Sequence, residues 1–440
     1  MSHGSAVIQK MMSVVLAMML GLFLFGAAYA EENNAQNAQK ELAAGVQSWS
    51  EQMSRAPHYG FTGTEYNKAE WPIIMMRMAT IGQMPYSEAL RIGKYLSLLA
   101  PEPKKYLEPL DWFNRNVVFK GIASVSSDLK GEREASMTYS QEIYARLGDR
   151  WLLQLEPEFN LSLNPGPHVL DFGFEYVHLT YFLGDHVQLT AGKIINDFNF
   201  SRARLHPSWI NLSQDLPWVT GMVPESTLGG KIGWNYRIAD KVMLNGSFFG
   251  GTGRELSWFD ANPMFGARIG TYFPEKNLEF GVSYATTRGD HIAGGYFIKK
   301  IESVQLQGEV ARSTDQGSAY WLEASVNLGA VLPVKNETAR AMLNRVTPVL
   351  RWQQFFAKHR DEADAEMPQQ DDASGGMMTM MSSGGHDEGS LPEKNASQLY
   401  TGINYELFRL GPYAAKLQAG YAFGFGGTDN QAKAGIVFRW

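Results

Sequence analysis

The sequence contains no cysteine among its 440 residues. Structural disulfides, thiolate metal sites and haem attached through a Cys-x-x-Cys-His motif are therefore excluded. Charge is sparse as well, at 19 %, while hydrophobic residues reach 44 %, a balance that excludes a charge-rich disordered chain. Beyond the first thirty residues no stretch approaches the roughly 18 continuous apolar residues of a spanning helix. No basic block suggests nucleic acid as a partner, and the net charge is −6. A mean hydropathy of −0.25 is too polar for a bundle of membrane helices. It suits a transmembrane β-barrel, in which only every second strand residue faces lipid.

What is present divides into three segments. Residues 1–30 read as a secretory signal: Lys10 precedes an apolar run from Met11 to Gly26, broken only by Ser13, and Ala28-Tyr29-Ala30 supplies small residues at the cleavage positions. A retained anchor is the alternative, disfavoured by the short core. Residues 31–114 read as a small helical domain. Apolar residues recur three and four apart in Trp71, Ile74, Met75, Met78 and Ile81, and again in Ala89, Ile92, Tyr95, Leu96 and Leu99. Ser87-Glu88 marks a capped helix start, and Pro101 and Pro103 close the second helix. So short and apolar a segment needs a surface to cover, which predicts that it plugs the barrel or sits beneath its mouth.

From residue 115 to 440 the period is two. Leu153, Leu155, Phe159 and Leu161 alternate with Gln154, Glu156, Glu158 and Asn160, and Leu278, Phe280, Val282 and Tyr284 alternate with Glu279, Gly281 and Ser283. Sixteen such segments run from 117–127 to 432–440, the twelfth and thirteenth at 317–329 and 344–355. Alternate links are tight, as at Gly148-Asp149 and Gly184-Asp185, while two of the others, 194–225 and 356–396, are very long. Short periplasmic turns alternating with long external loops predict an all-β fold: an antiparallel transmembrane barrel of about sixteen strands, with both termini periplasmic and the small α-helical domain at its N-terminus. A soluble sandwich would lack this rhythm. The link at 330–343 breaks it, being long where a tight turn is expected.

Alternation also predicts the lumen lining. Inward bases are Arg146, Lys231, Arg237, Arg268, Arg345, Arg351, Lys416 and Arg439; inward acids are Glu142, Glu156, Glu158, Glu279, Glu309, Glu323 and Glu406. This mixture gives neither sign a ring of its own. The loop 357–395 holds Met377, Met378, Met380, Met381 and His386, soft ligands for copper(I), among nine acids and three bases that favour a solvated external loop. No spacing suggests a nucleophilic triad and no glycine loop precedes a helix to cradle phosphate, so no enzyme is expected.

The alternating final strand ending in Trp440 resembles the aromatic signature that outer-membrane barrels present to their assembly machinery. The strand count is similar to that of general and substrate-selective porins. Residues 186–234, with Leu189-Thr190-Ala191-Gly192-Lys193, Phe200, Arg202, Trp209, Pro224 and Gly229-Gly230-Lys231-Ile232-Gly233, resemble the phosphate-selective porin O/P group over about fifty residues. The resemblance implies a third external loop folded inward, with Arg202, Arg204 and His206 as constriction candidates, and passive passage of small polar solutes or ions through a bacterial outer membrane. Glu65-Tyr66-Asn67-Lys68-Ala69-Glu70-Trp71 with Met75, Met78 and Ile92-Gly93-Lys94-Tyr95-Leu96 resembles half of a small c-type cytochrome, as in the fused cytochrome–porins of iron oxidisers. That resemblance implies His58 and Met78 as vestigial haem ligands and, as an alternative function, an electron conduit without covalent haem. The plainer reading makes His58 a loop histidine and Met78 a core residue. No cofactor is expected; the expected partners are membrane lipid, the barrel assembly machinery, small solutes and, for the helical domain, a periplasmic protein.

Overall fold

The computed structural model describes residues 68–100 except 82–83, 111–129, 135–162, 169–203, 216–238, 241–252, 263–358 except 288, and 391–439 except 393, 411–412, 427 and 429. The expected signal peptide, His58, Arg204, His206, the methionine-rich loop and Trp440 lie outside them. Sixteen strands form one closed antiparallel barrel in which each pairs with its sequence neighbours and the last pairs with the first. They are β1 Val117–Asp128, β2 Ala135–Arg146, β3 Trp151–Ser162, β4 Val169–Leu183, β5 Val187–Ile195, β6 Ser226–Ile238, β7 Val242–Thr252 and β8 Pro263–Phe273, followed by β9 Leu278–Thr287, β10 Asp290–Ile301, β11 Val304–Ser313, β12 Gly317–Val326, β13 Val346–Ala357, β14 Ala396–Leu410, β15 Tyr413–Phe425 and β16 Gln431–Arg439. Closure runs through seven residue pairs, Ile122 opposite Arg439 to Asp128 opposite Lys433. No described helix is long and apolar enough to cross a membrane.

The period-two pattern becomes two faces. Ile232, Phe248, Phe265, Phe280, Val282 and Leu322 are all exposed on the outer surface, where a closed ladder can meet hydrocarbon because no backbone group is left unpaired. Aromatic pairs gird both rims: Trp151 with Tyr181 at 4.6 Å and Phe273 with Phe280 at 5.8 Å at the short-turn rim, Phe159 with Phe172 at 4.7 Å and Trp352 with Phe425 at 6.1 Å at the other. Gly184 turns the chain between β4 and β5 at φ 74°, a conformation other residues adopt only at a cost. Pro157 has no N–H to give the ladder, and beside it the β3–β4 register slips so that Glu175 bulges from β4.

Among the described residues three helices precede the barrel: α1 Glu70–Thr80, α2 Tyr86–Leu99 and α3 Asp111–Asn116. The first is apolar almost all round, with Trp71, Ile73, Ile74, Met75, Met76 and Met78 buried, which suits only a helix enclosed on several sides. The spacing expectation of a cap at Ser87 is corrected. Helix α2 begins one residue earlier, after Pro85, without a side-chain cap, and Tyr86 N–H donates instead to Asp185 O of the β4–β5 turn at 3.0 Å. A Cβ on Gly93 would lie 2.8 Å from the Pro72 Cα, so α1 and α2 approach at a point only glycine permits. Helix α3 runs straight into β1, and Trp112 covers the outward residues Ala145, Leu147 and Leu153.

The broken rhythm at 330–343 is also resolved. Two short helices, α5 Leu328–Val331 and α6 Glu337–Leu343, occupy the link, so β12 ends at Val326, three residues before the expected boundary, and β13 starts at Val346. Helix α4 is Asn199–Ala203, in the third loop.

The outer face generates a prediction. Val282 is 62 % exposed in the middle of β9; Val282→Arg should cost about 2–4 kcal/mol of folding free energy in vesicles by urea titration, as a charge at the bilayer midplane does. Leu170→Arg, near the end of β4 and 69 % exposed, should change stability by less than about 1 kcal/mol.

Candidate pore and its inward-folded segments

Among the described residues two segments enter the barrel, from opposite rims, and they cover different stretches of its lining. At the short-turn rim the α1–α2 hairpin packs on lumen-facing Val118, Tyr144, Leu152, Phe182 and Met243, with Tyr272 partly covered. Tyr86 stacks on Phe182 with centroids 4.2 Å apart. Polar side chains bind the hairpin to β5 and β6. Gln188 donates to Thr80 O at 2.7 Å, Asn235 to Ala79 O at 3.1 Å, and Arg237 to the buried Glu88 carboxylate at 2.9 Å.

At the other rim the third loop turns inward. Ile194, Phe198, Phe200, Trp218 and Met222 meet Phe249, Met264, Ile292, Tyr296, Trp321 and Phe355 from the lumen face of β7 to β13. Glu309 holds the loop: its Oε1 accepts the Phe200 and Ser201 N–H groups at 2.9 and 2.8 Å, and its Oε2 accepts Trp321 Nε1–H at 3.0 Å. Asn199 N–H donates to Ser283 Oγ at 2.9 Å and Trp218 N–H to Gln353 Oε1 at 3.4 Å. At the rim, Asp290 accepts from Ser313 Oγ at 2.7 Å and from Gln316 Nε2 at 3.3 Å, and Gln316 donates to Met222 O at 3.3 Å.

Of the three expected constriction residues, only Arg202 is described. It is buried, donates from Nε and Nη2 to Thr220 O at 3.1 and 2.8 Å, and lies 3.2 Å from Glu225 Oε1. Its charge folds the loop on itself. Asp197 precedes α4 and pairs with Lys231 at 3.1 Å. Burial opposes its ionisation, but the Lys231 ammonium and the Arg268 guanidinium outweigh burial and hold the carboxyl below the usual aspartate value.

The expected lining residues occupy inward positions, except Arg345, but they rarely project singly into the lumen. Arg345 is corrected: it stands before β13 at the rim, exposed, and donates to Leu407 O at 3.1 Å. Arg351 and Glu323 are each 1 % exposed, bonded at 2.7 Å, with Gln307 on the same carboxylate at 2.7 Å and Trp321 5.1 Å under the guanidinium. Arg268 donates to Tyr296 OH at 2.9 Å and Tyr296 to Glu279 at 3.3 Å. Glu142 accepts from Tyr144 OH and Glu156 from Ser140 Oγ. Arg146 pairs with exposed Asp149 at 2.5 Å. Lys416 and Glu406 face each other across β14 and β15. Carboxylate oxygens of Glu156, Glu158 and Glu175 lie within 4.8 Å of one another, a spacing open to a hard cation, although all three acids already engage neighbours. Met78 is a packing residue inside the hairpin cluster, so its place gives no support to the cytochrome-like reading.

Alternation missed the residues that anchor the inserts: Glu88, Gln188, Asn235, Asp197, Asp290 and Trp321. One signal was present. Strands turn apolar on both faces where an insert covers them, as at Trp151-Leu152-Leu153, Tyr181-Phe182-Leu183, Phe248-Phe249 and Phe355-Phe356.

No family model matches the chain, and no curated protein resembles it in sequence. Among solved structures it is similar to OprB of Pseudomonas putida at 8 % identity and TM-score 0.48, covering 76 % of this chain and 95 % of that one. It is similar to a Salmonella typhi OmpF complex with daunomycin at 11 % and 0.45, covering 74 % and 98 %. An engineered Rhodopseudomonas blastica porin gives 10 % and 0.44, covering 74 % and 100 %. At these values the barrel assignment rests on the chain's own strand pairings.

Two predictions concern the third loop. Glu309→Ala removes the shared acceptor of two amides and an indole, and should destabilise the protein by about 3 kcal/mol, since hydrogen bonds to charged groups contribute about 1.5–3 kcal/mol each. Channel recordings should then show added closures, and Glu309→Gln, which keeps an acceptor oxygen, should lie between variant and wild type. For Asp197, a depressed carboxyl stabilises the fold above its unfolded value and ceases to do so as pH falls through the folded one. The stability difference between wild type and Asp197→Asn should stay constant from neutral pH to about pH 4 and shrink below it, as read from chemical denaturation at each pH.

Proposed function

We propose that this barrel is an outer-membrane channel for the passive diffusion of small polar solutes or ions. The observation that carries the reading is the offset of the two inserts. The hairpin cluster lies on β1–β4, β7 and β8, the third-loop cluster on β5 and β7–β14, and among the described residues neither includes one of β15 or β16. The lumen side of β16, and of β1 beyond Val118, therefore carries no described residue of either apolar cluster. On that wall Ser124, Ser126, Lys433 and Gly435 are half-buried, polar or small, and face the lumen. A hydrated solute needs such a surface, whereas an apolar constriction would empty of water. The exposed outer belt and aromatic rims suit a membrane, and strands of 9 to 15 residues suffice to span one. Alternating short turns and long loops favour the bacterial outer membrane with the helical hairpin on its periplasmic side.

Lys120, Lys416, Lys433 and Arg439 also face the lumen from β15, β16 and β1, while Glu142 and Glu406 stand opposite on flanking strands. With Asp128 at the position opposite Lys433, four bases stand against three acidic positions, a slight excess that favours anions weakly.

Planar-bilayer recordings test the reading. Purified protein should conduct, its reversal potential in a salt gradient should favour the anion, and Lys433→Glu should move it toward the cation. Deleting residues 68–100 should raise single-channel conductance without impairing barrel assembly. A closed barrel, with or without the hairpin, would overturn the proposal.

A further inference from the structure

Among the described residues, the link between β12 and β13 is a rim segment of some length with no part in the ladder, the lumen or either insert. A tight turn would have joined these strands, as at the β4–β5 link. Instead the chain spends the residues from Asn327 to Arg345 on two structured helices. Asn327 caps α5 by accepting Ala330 N–H at 3.2 Å, and Asn336 caps α6 by accepting Ala339 N–H at 3.0 Å. Asn327 Nδ2 also donates to Asn344 O at 2.8 Å, clamping the two ends of the segment together. The result is a built projection with a surface of its own.

That surface is apolar and basic. Val331 is 53 % exposed, Leu332 43 % and Met342 58 %. In α6, Ala339, Met342 and Leu343 share one face at helical spacing while Glu337, Arg340 and Asn344 share the other. Lys335 and Arg340, both exposed, outnumber Glu337. Large apolar side chains so exposed at the rim of a membrane barrel need a partner. The segment also continues from strands whose outward residues, Leu322 and Leu350, are themselves exposed in the lipid-facing belt at 48 % and 52 %.

We infer that residues 328–343 form an interfacial foot that sets Val331, Leu332 and Met342 into the adjoining leaflet and Lys335 and Arg340 against anionic phospholipid phosphates. Short amphipathic helices bind membranes by this combination of buried apolar area and basic attraction. The inference rests on the transmembrane reading of the barrel but not on its conduction of solutes. A periplasmic protein is the competing occupant, and it makes a different prediction in pure lipid.

The absence of cysteine allows single-site labelling of the full chain. Val331→Cys, Met342→Cys and Glu337→Cys, with Leu322→Cys as lipid-facing control, would each carry an environment-sensitive fluorophore. Reconstitution would be into vesicles of phosphatidylcholine alone or with phosphatidylglycerol. The foot predicts blue-shifted emission and quenching by shallow spin-labelled lipid at 331 and 342, stronger with phosphatidylglycerol, and water-like emission at 337. In a Lys335→Gln, Arg340→Gln background the phosphatidylglycerol enhancement should disappear. Water-like emission at 331 and 342 in both lipids, with a normal signal at Leu322, would overturn the inference and leave the surface to a protein partner. Insertion indifferent to lipid charge would overturn the role of the two bases. A water-like signal at Leu322 would instead overturn the transmembrane reading on which the inference rests.

Discussion

Every feature of this molecule depends on closing the backbone ladder between β1 and β16. Hydrocarbon offers no hydrogen-bond partner, so an open edge would strand a row of N–H and C=O groups at several kcal/mol each. The seven residue pairs joining Ile122–Asp128 to Lys433–Arg439 remove that edge. Once the ladder is closed, alternation does the rest: one set of side chains must suit lipid, and the other is left to enclose whatever the lumen contains. The two bulges, at Glu175 and Leu407, are places where the ladder yields locally without opening.

A closed ladder of sixteen strands encloses more space than its own lining fills. The chain occupies part of it from both rims by opposite means. The hairpin enters as a nearly all-apolar helix pair, matched by apolar lumen side chains, with a few carbonyl and carboxylate contacts fixing its orientation. The third loop brings fewer apolar groups and is held at its buried backbone by Glu309, Ser283 and Gln353. In each case the polar contact satisfies a group that burial would otherwise leave unmet, as the Asp185 carbonyl does for the first amide of α2. Because the two segments enter from opposite rims, they narrow the lumen in series and meet β7 and β8 at different heights. The charges follow from this crowding. Glu323 with Arg351, and Asp197 with Lys231, neutralise one another where water is scarce, so a count of inward charges overstates what a solute would meet.

The architecture was legible because two-residue periodicity leaves little freedom. Shifting a strand by one residue would turn Phe280 and Val282 inward and Glu279 and Ser283 into lipid, so pattern and register determine each other. The long-short rhythm marked 194–225 as a long loop, the resemblance to porins implied that it folds inward, and the helical spacing of Trp71, Ile74, Met75 and Met78 located the helical hairpin. The roles of individual residues were less legible. Arg202 stood in the expected loop, yet its guanidinium is spent on Thr220 and Glu225. Arg345 kept its alternation but fell beyond the strand, because Asn327 and Asn336 start helices where a turn was expected.

The amino-acid sequence by itself determined the strands, their register and which side chains face out, since these follow from local periodicity and from the demand that no backbone group be left bare in lipid. Only the tertiary structure decided where the hairpin and third loop lie, which inward charges neutralise one another, and that the irregular link forms two short capped helices. Those outcomes turn on contacts between segments up to 156 residues apart, such as Asn235 with Ala79. No local pattern encodes such a distance, beyond the apolar doublets that mark where the strands are covered.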